Sequence, residues 1–183
     1  MVLKNKKTTD EPNQSDLEEI NNLFNSQKIE PAKNKAQDLV KKYPNSFNLN
    51  YMLGALCGTQ EKLEEAIIYF QKAIKNKPDH VDVLFKLGVT LNTLNRLKES
   101  FNYLQKLIQI KPNDAEAHNA LGNVLKKQGN LEKALYHYQK TIEIKSNFLV
   151  AHNNLANTMS DLGMFDESMV HYKRAIQIKP DYA

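Results

Sequence analysis

Residues 47–80, FNLNYMLGALCGTQEKLEEAIIYFQKAIKNKPDH, decide the fold. Apolar residues recur there at spacings of three and four, which predicts two amphipathic helices separated by a polar break at Glu61-Lys62. Pro78 ends the second helix, because the residue before a proline disfavours the α conformation. The first apolar stripe is Leu49, Leu53 and Leu56, and the second is Leu63, Ala66, Ile67, Phe70, Ala73 and Ile74. The stretch therefore predicts a helical hairpin.

The same pattern returns along the chain with a step of 34 residues. Pro44, Pro78, Pro112 and Pro180 share one register, with Ser146 in the remaining slot. Three more columns follow the step: Leu53, Leu87, Leu121 and Leu155; Gly54, Gly88, Gly122 and Ala156; and Ile29, Leu63, Leu97, Leu131 and Phe165. Agreement in so many columns, without an insertion, indicates tandem repeats that bury their faces on one another.

These columns resemble the tetratricopeptide repeat, whose pattern is W-x2-L-G-x2-Y, then A-x3-F, then P, in 34 residues. In the quoted stretch the matching residues are Leu53, Gly54, Ala66, Phe70, Ala73 and Pro78. The tryptophan slot instead holds Asn50, Leu84, His118 and His152. The resemblance implies an all-α fold, a right-handed α-solenoid of helix-turn-helix repeats whose first helices line a concave groove.

The repeat register predicts where each unit begins and ends. The expected organisation is a disordered tail at 1–12, a degenerate repeat at 13–46, repeats at 47–80, 81–114, 115–148 and 149–182, and a truncated sixth unit beginning at 183. Ser15-Asp16-Leu17-Glu18 has the form of a capping box that opens the first helix. Gly129 and Gly163 are expected at the turns between helices, where a left-handed conformation favours glycine.

Small residues are expected to bring the two helices of each unit together. The Gly54, Gly88, Gly122 and Ala156 column is in register with Ala66, Ser100, Ala134 and Ser168. Small side chains on both helices permit a close approach of the two backbones, so a structural role is the expected one.

Composition argues against an enzyme. The chain has 183 residues, one cysteine and six glycines, and it contains no phosphate-binding glycine motif. Cys57 falls in an apolar column, which predicts a buried structural thiol rather than a nucleophile. His118 and His152 are repeat equivalents, as are His137 and His171, so neither couple is expected to share a metal. We predict no catalytic residues, no metal and no cofactor.

Charge and hydropathy narrow the class of partner. The net charge is +4, but only Arg96 and Arg174 among 25 basic residues are arginine, which is a weak sign of nucleic-acid binding. No apolar run approaches the ~18 residues of a membrane helix, and the N-terminus is too polar for a signal peptide. We therefore expect a cytoplasmic protein that binds neither nucleic acid nor membrane.

The groove implied by the resemblance is the candidate binding surface. Its expected N-terminal half is aromatic, which suits apolar anchors of a partner. Its C-terminal half is rich in asparagine, whose amide both donates and accepts hydrogen bonds. The alternative is that asparagine is simply abundant throughout this chain. The predicted partner-binding residues are Phe24, Tyr51, Phe85, Asn92, Asn119, Asn123, Lys126, Asn153, Asn154 and Asn157.

The function predicted on these grounds is a protein-protein interaction scaffold that binds an extended segment or a helix of a protein partner. The alternative is a substrate-recruiting N-terminal region of a larger enzyme. The residue pattern of the repeats resembles that of repeat arrays found before two kinds of bacterial enzyme domain. These are glycosyltransferase domains of the O-linked N-acetylglucosamine type and sulfotransferase domains. Chaperone tails are disfavoured, because the family's carboxylate clamp needs a lysine in the column of Tyr51, Phe85, Asn119 and Asn153.

The last repeat raises a second mode of association. No atypical capping unit follows it, so the apolar face that includes Ile176 is expected to be uncovered. Either a longer protein continues beyond Ala183, or the chain associates end to end through this unit.

Overall fold

The computed structural model describes residues 11–179, which form ten α-helices and no β-strand. The helices are α1 (Gln14–Asn25), α2 (Ile29–Lys42), α3 (Phe47–Thr59), α4 (Leu63–Asn76), α5 (Val81–Thr93), α6 (Leu97–Ile110), α7 (Ala115–Lys127), α8 (Leu131–Ile144), α9 (Leu149–Asp161) and α10 (Phe165–Ile178). The all-α class predicted from the repeat is confirmed. The chain divides into two compact units, residues 1–83 and 84–183.

The first unit is built from two helical hairpins. Helix α1 packs on α2, α3 packs on α4, and α2 packs on α3. The apolar stripes that the spacing predicted face inward, so each helix buries one side. The core consists of Leu17, Ile20, Ala32, Ala36, Leu49, Leu53 and Leu56. Burial of such side chains is the main stabilising contribution to a repeat of this size.

The second unit repeats the arrangement. Helix α7 packs on α8 and α9 packs on α10, while α6 lies on α7 and α8 lies on α9. Its core consists of Leu104, Ala120, Leu121, Val124, Leu125, Ala134, Tyr138, Leu155 and Met159. Within each unit, neighbouring hairpins therefore also bury a face on each other.

The glycine column marks the closest approach of the two helices within a hairpin. A Cβ atom placed on Gly54 would lie 2.6 Å from the ring of Phe70, and one on Gly122 would lie 2.5 Å from the ring of Tyr138. The predicted pairing of small residues is thus only part of the contact. Ser100 does reach the glycine backbone, since its Oγ donates to the Gly88 carbonyl at 2.6 Å. The large side chain one turn further on is what lies against the glycine.

A left-handed residue ends the first helix of every hairpin. The glycines predicted at this turn, Gly129 and Gly163, both have φ of +78°, which confirms the prediction. The other three hairpins place non-glycine residues in the same slot: Gln27, Glu61 and Asn95, with φ of 59°, 57° and 58°. The next residue closes the turn by donating to a carbonyl five positions back, as Lys62 does to Cys57 at 3.0 Å.

The first helix is capped two residues earlier than predicted, at Asn13 instead of Ser15. Helix α1 starts at Gln14, and the side chain of Asn13 accepts a hydrogen bond from the Asp16 N–H at 2.8 Å. Ser15 therefore lies inside the helix, and the capping-box prediction is wrong. Asparagine caps a helix as well as serine does. Because Asn13 precedes Ser15, capping at Asn13 gives the longer helix.

The segment before α1 is partly described. Residues 1–10 of the predicted tail lie outside the described residues. Glu11 and Pro12 lie inside them, and Pro12 is buried. The Glu11 carboxylate accepts from the Phe47 N–H at 2.7 Å and from Asn48 Nδ2 at 3.2 Å, and it also contacts the Ser46 hydroxyl. This carboxylate therefore satisfies free donors at the N-terminus of α3, where negative charge is favoured.

One buried charge distinguishes the first unit. Lys33 is 5% exposed, and its Nζ atom lies 3.2 Å from both Glu65 Oε2 and Gln60 Oε1. Burial lowers the pKa of Lys33, but the hydrogen bond to Glu65, together with Cys57 and the Glu65 charge, raises it more, so the lysine stays protonated. Its repeat-equivalent slots hold the apolar residues Ile67, Phe101, Leu135 and Met169.

The glycine contact predicts opposite effects for two alanine substitutions in one helix. Gly54→Ala should lower the free energy of unfolding by about 1–3 kcal/mol, because the new methyl overlaps the Phe70 ring. Gly58→Ala is the matched control, since a Cβ there meets nothing within 4 Å. It should raise the free energy of unfolding by about 0.5–1 kcal/mol through helix propensity. Urea denaturation of both variants measures this, and equal effects would contradict the contact.

The left-handed slot yields a second prediction. Glu61→Gly should raise the free energy of unfolding by about 0.5–1 kcal/mol, because glycine adopts φ of 57° without a Cβ penalty. Gln128→Gly, at the slot equivalent to Gln60 but with an exposed side chain, is the control and should not stabilise, because Gln128 has φ of −79°. The same denaturation measurement compares them, and a stabilising Gln128→Gly would contradict the assignment.

Candidate functional site

Asparagine and tyrosine side chains of α7, α8 and α9 meet in the second unit. Asn154 Nδ2 donates to Asn119 Oδ1 at 3.1 Å and to Asn123 Oδ1 at 3.0 Å. The Tyr138 hydroxyl donates to the same Asn123 oxygen at 2.8 Å. We call Asn119, Asn123, Asn154 and Tyr138 the asparagine face. Three of its members were predicted from the sequence, and Tyr138 was not.

Helix periodicity and the glycine contact together place these groups. Asn119 and Asn123 are four residues apart on α7, so they share one side of that helix. Tyr138 is fully buried, and its ring lies against Gly122. This packing carries the hydroxyl to Asn123, and burial raises the pKa of Tyr138, which keeps it protonated as a donor.

The asparagine face keeps unused hydrogen-bonding groups. Within residues 11–179, the Nδ2 groups of Asn119 and Asn123 donate to no protein atom, and Asn154 Oδ1 accepts from none. All three residues are half-buried rather than fully exposed. The face therefore offers amide donors and a carbonyl acceptor that are held in place by their other hydrogen bonds.

Three further predicted residues lie on α7 and α9, and a fourth, Asn92, lies on α5. Lys126 forms an ion pair with Asp161 at 2.8 Å. Asn157 is exposed and accepts a hydrogen bond from the Tyr172 hydroxyl. Asn153 is half-buried. Asn92 accepts a hydrogen bond from Lys127 through its backbone carbonyl, at 2.9 Å.

The predicted aromatic residues are half-buried and pack on other side chains. Phe24 packs on the core of the first unit, and Phe85 packs on the core of the second. The Tyr51 ring stacks on Phe47 with centroids 6.0 Å apart, and its hydroxyl lies 3.4 Å from Asp82 Oδ2. Burial, together with Asp82, raises the pKa of Tyr51. A role for these aromatic residues in binding stays a prediction.

Two histidine pairs form within hairpins, a feature that the sequence analysis missed. His118 of α7 and His137 of α8 have their Nδ1 atoms 2.9 Å apart, and His152 of α9 and His171 of α10 have theirs 3.1 Å apart. The step of 34 residues groups His118 with His152, because it relates equivalent positions in successive repeats. It does not show which residues are in contact. A separation of 19 residues between facing slots would have identified the pairs.

The first histidine of each pair holds the preceding turn. His118 Nε2 lies 2.9 Å from the Pro112 carbonyl, and His152 Nε2 lies 3.0 Å from the Ser146 carbonyl. In the first unit Asn50 Nδ2 makes the equivalent bond to the Pro44 carbonyl at 2.9 Å. Asn50, His118 and His152 in the tryptophan slot therefore donate to the loop six residues earlier. Leu84, in the same slot, has no side-chain donor.

The donor pattern determines the protonation of each pair. Because Nε2 of His118 faces a carbonyl oxygen, it carries a hydrogen, and in the neutral ring its Nδ1 is then an acceptor. The facing Nδ1 of His137 is the donor. Burial, with a contribution from His118, lowers the pKa of His137 to about 4, and burial with His152 lowers the pKa of His171.

Reactive groups are few in the part of the chain that the structure describes. Cys57 is fully buried, and burial raises the pKa of its thiol, which disfavours the nucleophilic thiolate. Residues 11–179 contain no cluster of three or more histidine, cysteine, aspartate or glutamate side chains placed to hold a metal. Over the same residues no helix has the length and apolarity to cross a bilayer.

Comparison with protein families accounts for the repeat. Models described as "Tetratricopeptide repeat" match residues 21–46, 47–80, 115–148 and 149–182, and one described as "TPR repeat" matches 90–129. Together they span well over half of the chain. The protein belongs to the tetratricopeptide-repeat family. The predicted family is confirmed, and ten helices without a strand in residues 11–179 are those of an all-α tetratricopeptide solenoid.

Solved structures with the same fold include two other tetratricopeptide-repeat proteins. MamA is similar with a TM-score of 0.83 at 22% identity, covering 88% of this chain and 95% of that one. MamA residues 41 to end from Desulfovibrio magneticus RS-1 gives a TM-score of 0.84 at 18% identity, covering 91% and 97%. YrrB, whose structure is described as "a TPR protein with an unusual peptide-binding site", gives 0.82 at 24% identity, covering 95% and 90%. No match was found among the curated proteins.

The histidine pairs predict that acid destabilises this tetratricopeptide-repeat protein. Between about pH 6.5 and pH 4 the unfolded chain binds a proton at residue 137 that the folded chain excludes, because the pKa of His137 is lowered to about 4. The free energy of unfolding should be fully retained above pH 6.5 and fall by roughly 3 kcal/mol as the pH approaches 4.

A variant isolates this contribution. His137→Tyr introduces the residue that occupies the slot in earlier repeats, at Tyr69 and Tyr103. Urea denaturation at a series of pH values should show a shallower decline for this variant than for the native chain. An unchanged pH dependence would show that His137 titrates normally in the folded protein.

Proposed function

We propose that the protein is a non-catalytic scaffold that binds an extended segment of a protein partner on the asparagine face. The observation that carries the proposal is the set of unused amide groups on Asn119, Asn123 and Asn154, which are held in place by hydrogen bonds among themselves and to Tyr138. An ordered donor and acceptor set loses little conformational entropy on binding.

The spacing of these amides suits a peptide backbone. Asn119 and Asn123 are four residues apart on a helix, which separates them by about 6 Å along its axis. Backbone carbonyls on the same side of an extended chain are about 6.8 Å apart, two residues at about 3.4 Å each. Both Nδ2 groups can therefore donate to alternate carbonyls, while Asn154 Oδ1 accepts an intervening N–H.

This recognition reads the backbone rather than particular side chains. Specificity would come from neighbouring groups, among which the ion pair of Lys126 and Asp161 and the exposed Asn157 lie on the same two helices. Membership of a family of helical-repeat proteins supports a binding role. The buried Cys57 thiol supports the absence of nucleophilic chemistry.

The test selects peptides and then removes the amides. The full chain is used to select binders from a library of unstructured random peptides, and the affinity of a selected peptide is measured by fluorescence anisotropy. The double variant Asn119→Ala with Asn123→Ala should bind it about tenfold or more weakly, because two hydrogen bonds of about 1 kcal/mol each are lost.

The matched control changes asparagines elsewhere. Asn113→Ala with Asn147→Ala alters two exposed loop asparagines and should leave the affinity unchanged. Circular dichroism confirms that both double variants remain helical. Enrichment of no peptide, or equal weakening by both double variants, would contradict the proposal.

A further inference from the structure

One side of α10 carries an exposed apolar stripe, in which Tyr172 also donates through its hydroxyl to Asn157 of α9. Phe165 is 67% exposed, Met169 52%, Tyr172 37% and Ile176 48%. In α8 the equivalent slots hold Leu131, Leu135, Tyr138 and Ile142, of which Tyr138 is fully buried and none is exposed. Leu135 and Ile142 pack there into a core shared with Leu155 of α9. Within the described residues no helix covers the corresponding stripe of α10.

The spacing of the stripe is that of a helix-pairing seam. Steps of four, three and four residues separate Phe165, Met169, Tyr172 and Ile176, which is the heptad pattern of a two-helix contact. One flank of the seam, formed by Ser168 and Ala175, is buried. The other flank carries Asp166 and Lys173, both exposed. Only this second flank is accessible to an approaching helix.

We propose that this seam pairs with the α10 seam of a second copy of the chain, in an antiparallel arrangement about a two-fold axis. The two helices then form four layers, and each layer contains one seam residue from each copy. Phe165 packs on Ile176 of the partner subunit, and Met169 packs on Tyr172 of the partner subunit. The two-fold axis generates the other two layers, so the surface is complementary to itself.

Charge favours the antiparallel orientation. Asp166 lies in the first turn of α10 and Lys173 in its second half, both in the flanking position of the heptad. Antiparallel pairing places Asp166 beside Lys173 of the partner subunit, and the two-fold axis makes this ion pair twice. The opposed helix dipoles add to the same preference. A parallel pairing would place equivalent turns of the two helices, with the same charges, alongside each other.

The same data argue against head-to-tail assembly. Such assembly would require a matching apolar surface on α1, but the apolar residues Leu17 and Ile20 of that helix are buried. Among residues 11–67, no large hydrophobic side chain is exposed. The end-to-end association predicted from the sequence is thereby narrowed to contact between two copies of α10.

The first experiment measures the oligomeric state of the full chain by sedimentation velocity over a range of concentrations. We expect a monomer–dimer equilibrium, with no trimer or longer polymer, because a two-fold contact is closed. Met169→Glu should abolish the dimer. Ile68→Glu is the matched control, since Ile68 is 53% exposed against 52% for Met169, and it should leave the equilibrium unchanged.

The second experiment tests the orientation with charge reversals at exposed positions, and circular dichroism checks that each variant remains helical. Asp166→Lys alone and Lys173→Asp alone should each weaken the dimer about tenfold, because two attractive pairs become repulsive. Combining both changes in one chain should restore it. Mixing the two single variants should give preferential heterodimers by native mass spectrometry, since all facing charges are then opposite. Lys133→Asp is the control reversal and should have no effect.

Three outcomes would overturn the proposal. A monomer at every concentration would assign the stripe to a different occupant, such as another protein or a further segment of a longer chain. A dimer unaffected by Met169→Glu would place the contact elsewhere. A dimer that Met169→Glu abolishes, but whose single-charge variants show no preference for each other, would exclude the antiparallel pairing.

Discussion

A large side chain of the second helix lies directly on a glycine of the first helix, and the rest of each hairpin depends on this contact. The Phe70 ring lies on Gly54, Leu104 lies on Gly88, and the Tyr138 ring lies on Gly122, with no space for a Cβ atom. The contact fixes the distance between the two helices, and that distance determines which other residues face each other. Ser100 can reach the Gly88 carbonyl only because the backbones are this close.

The candidate site follows from the same contact. Because the Tyr138 ring is held on Gly122, its hydroxyl reaches Asn123, and Asn123 in turn shares Asn154 with Asn119. A structural contact inside a hairpin thus orients polar groups that lie on two different repeats. Binding of an extended segment on the asparagine face would therefore depend on the packing behind it, and variants at Gly122 would affect both stability and recognition.

Equivalent positions in different repeats make different contacts in this protein. Where the tryptophan slot of the family holds Asn50, His118 or His152, the side chain hydrogen-bonds to a carbonyl of the preceding loop, whereas Leu84 in the same slot cannot. The two histidines gain a second histidine across the hairpin, from which we expect their repeats to be sensitive to acid. The apolar column that is covered in α8 is exposed in α10, so one sequence pattern forms a core in one repeat and a surface available for association in another.

The sequence by itself determined the period, the helical hairpins, the family and the glycine turns at Gly129 and Gly163, because these depend on local spacing and on residues that tolerate few conformations. It also placed three members of the asparagine face on the correct helices. Only the tertiary structure decided that Tyr138 joins them, that His118 faces His137 rather than His152, and that Lys33 is buried beside Glu65. These contacts join residues on different helices, so they depend on how closely the helices pack. The spacing of residues within one helix does not predict that distance.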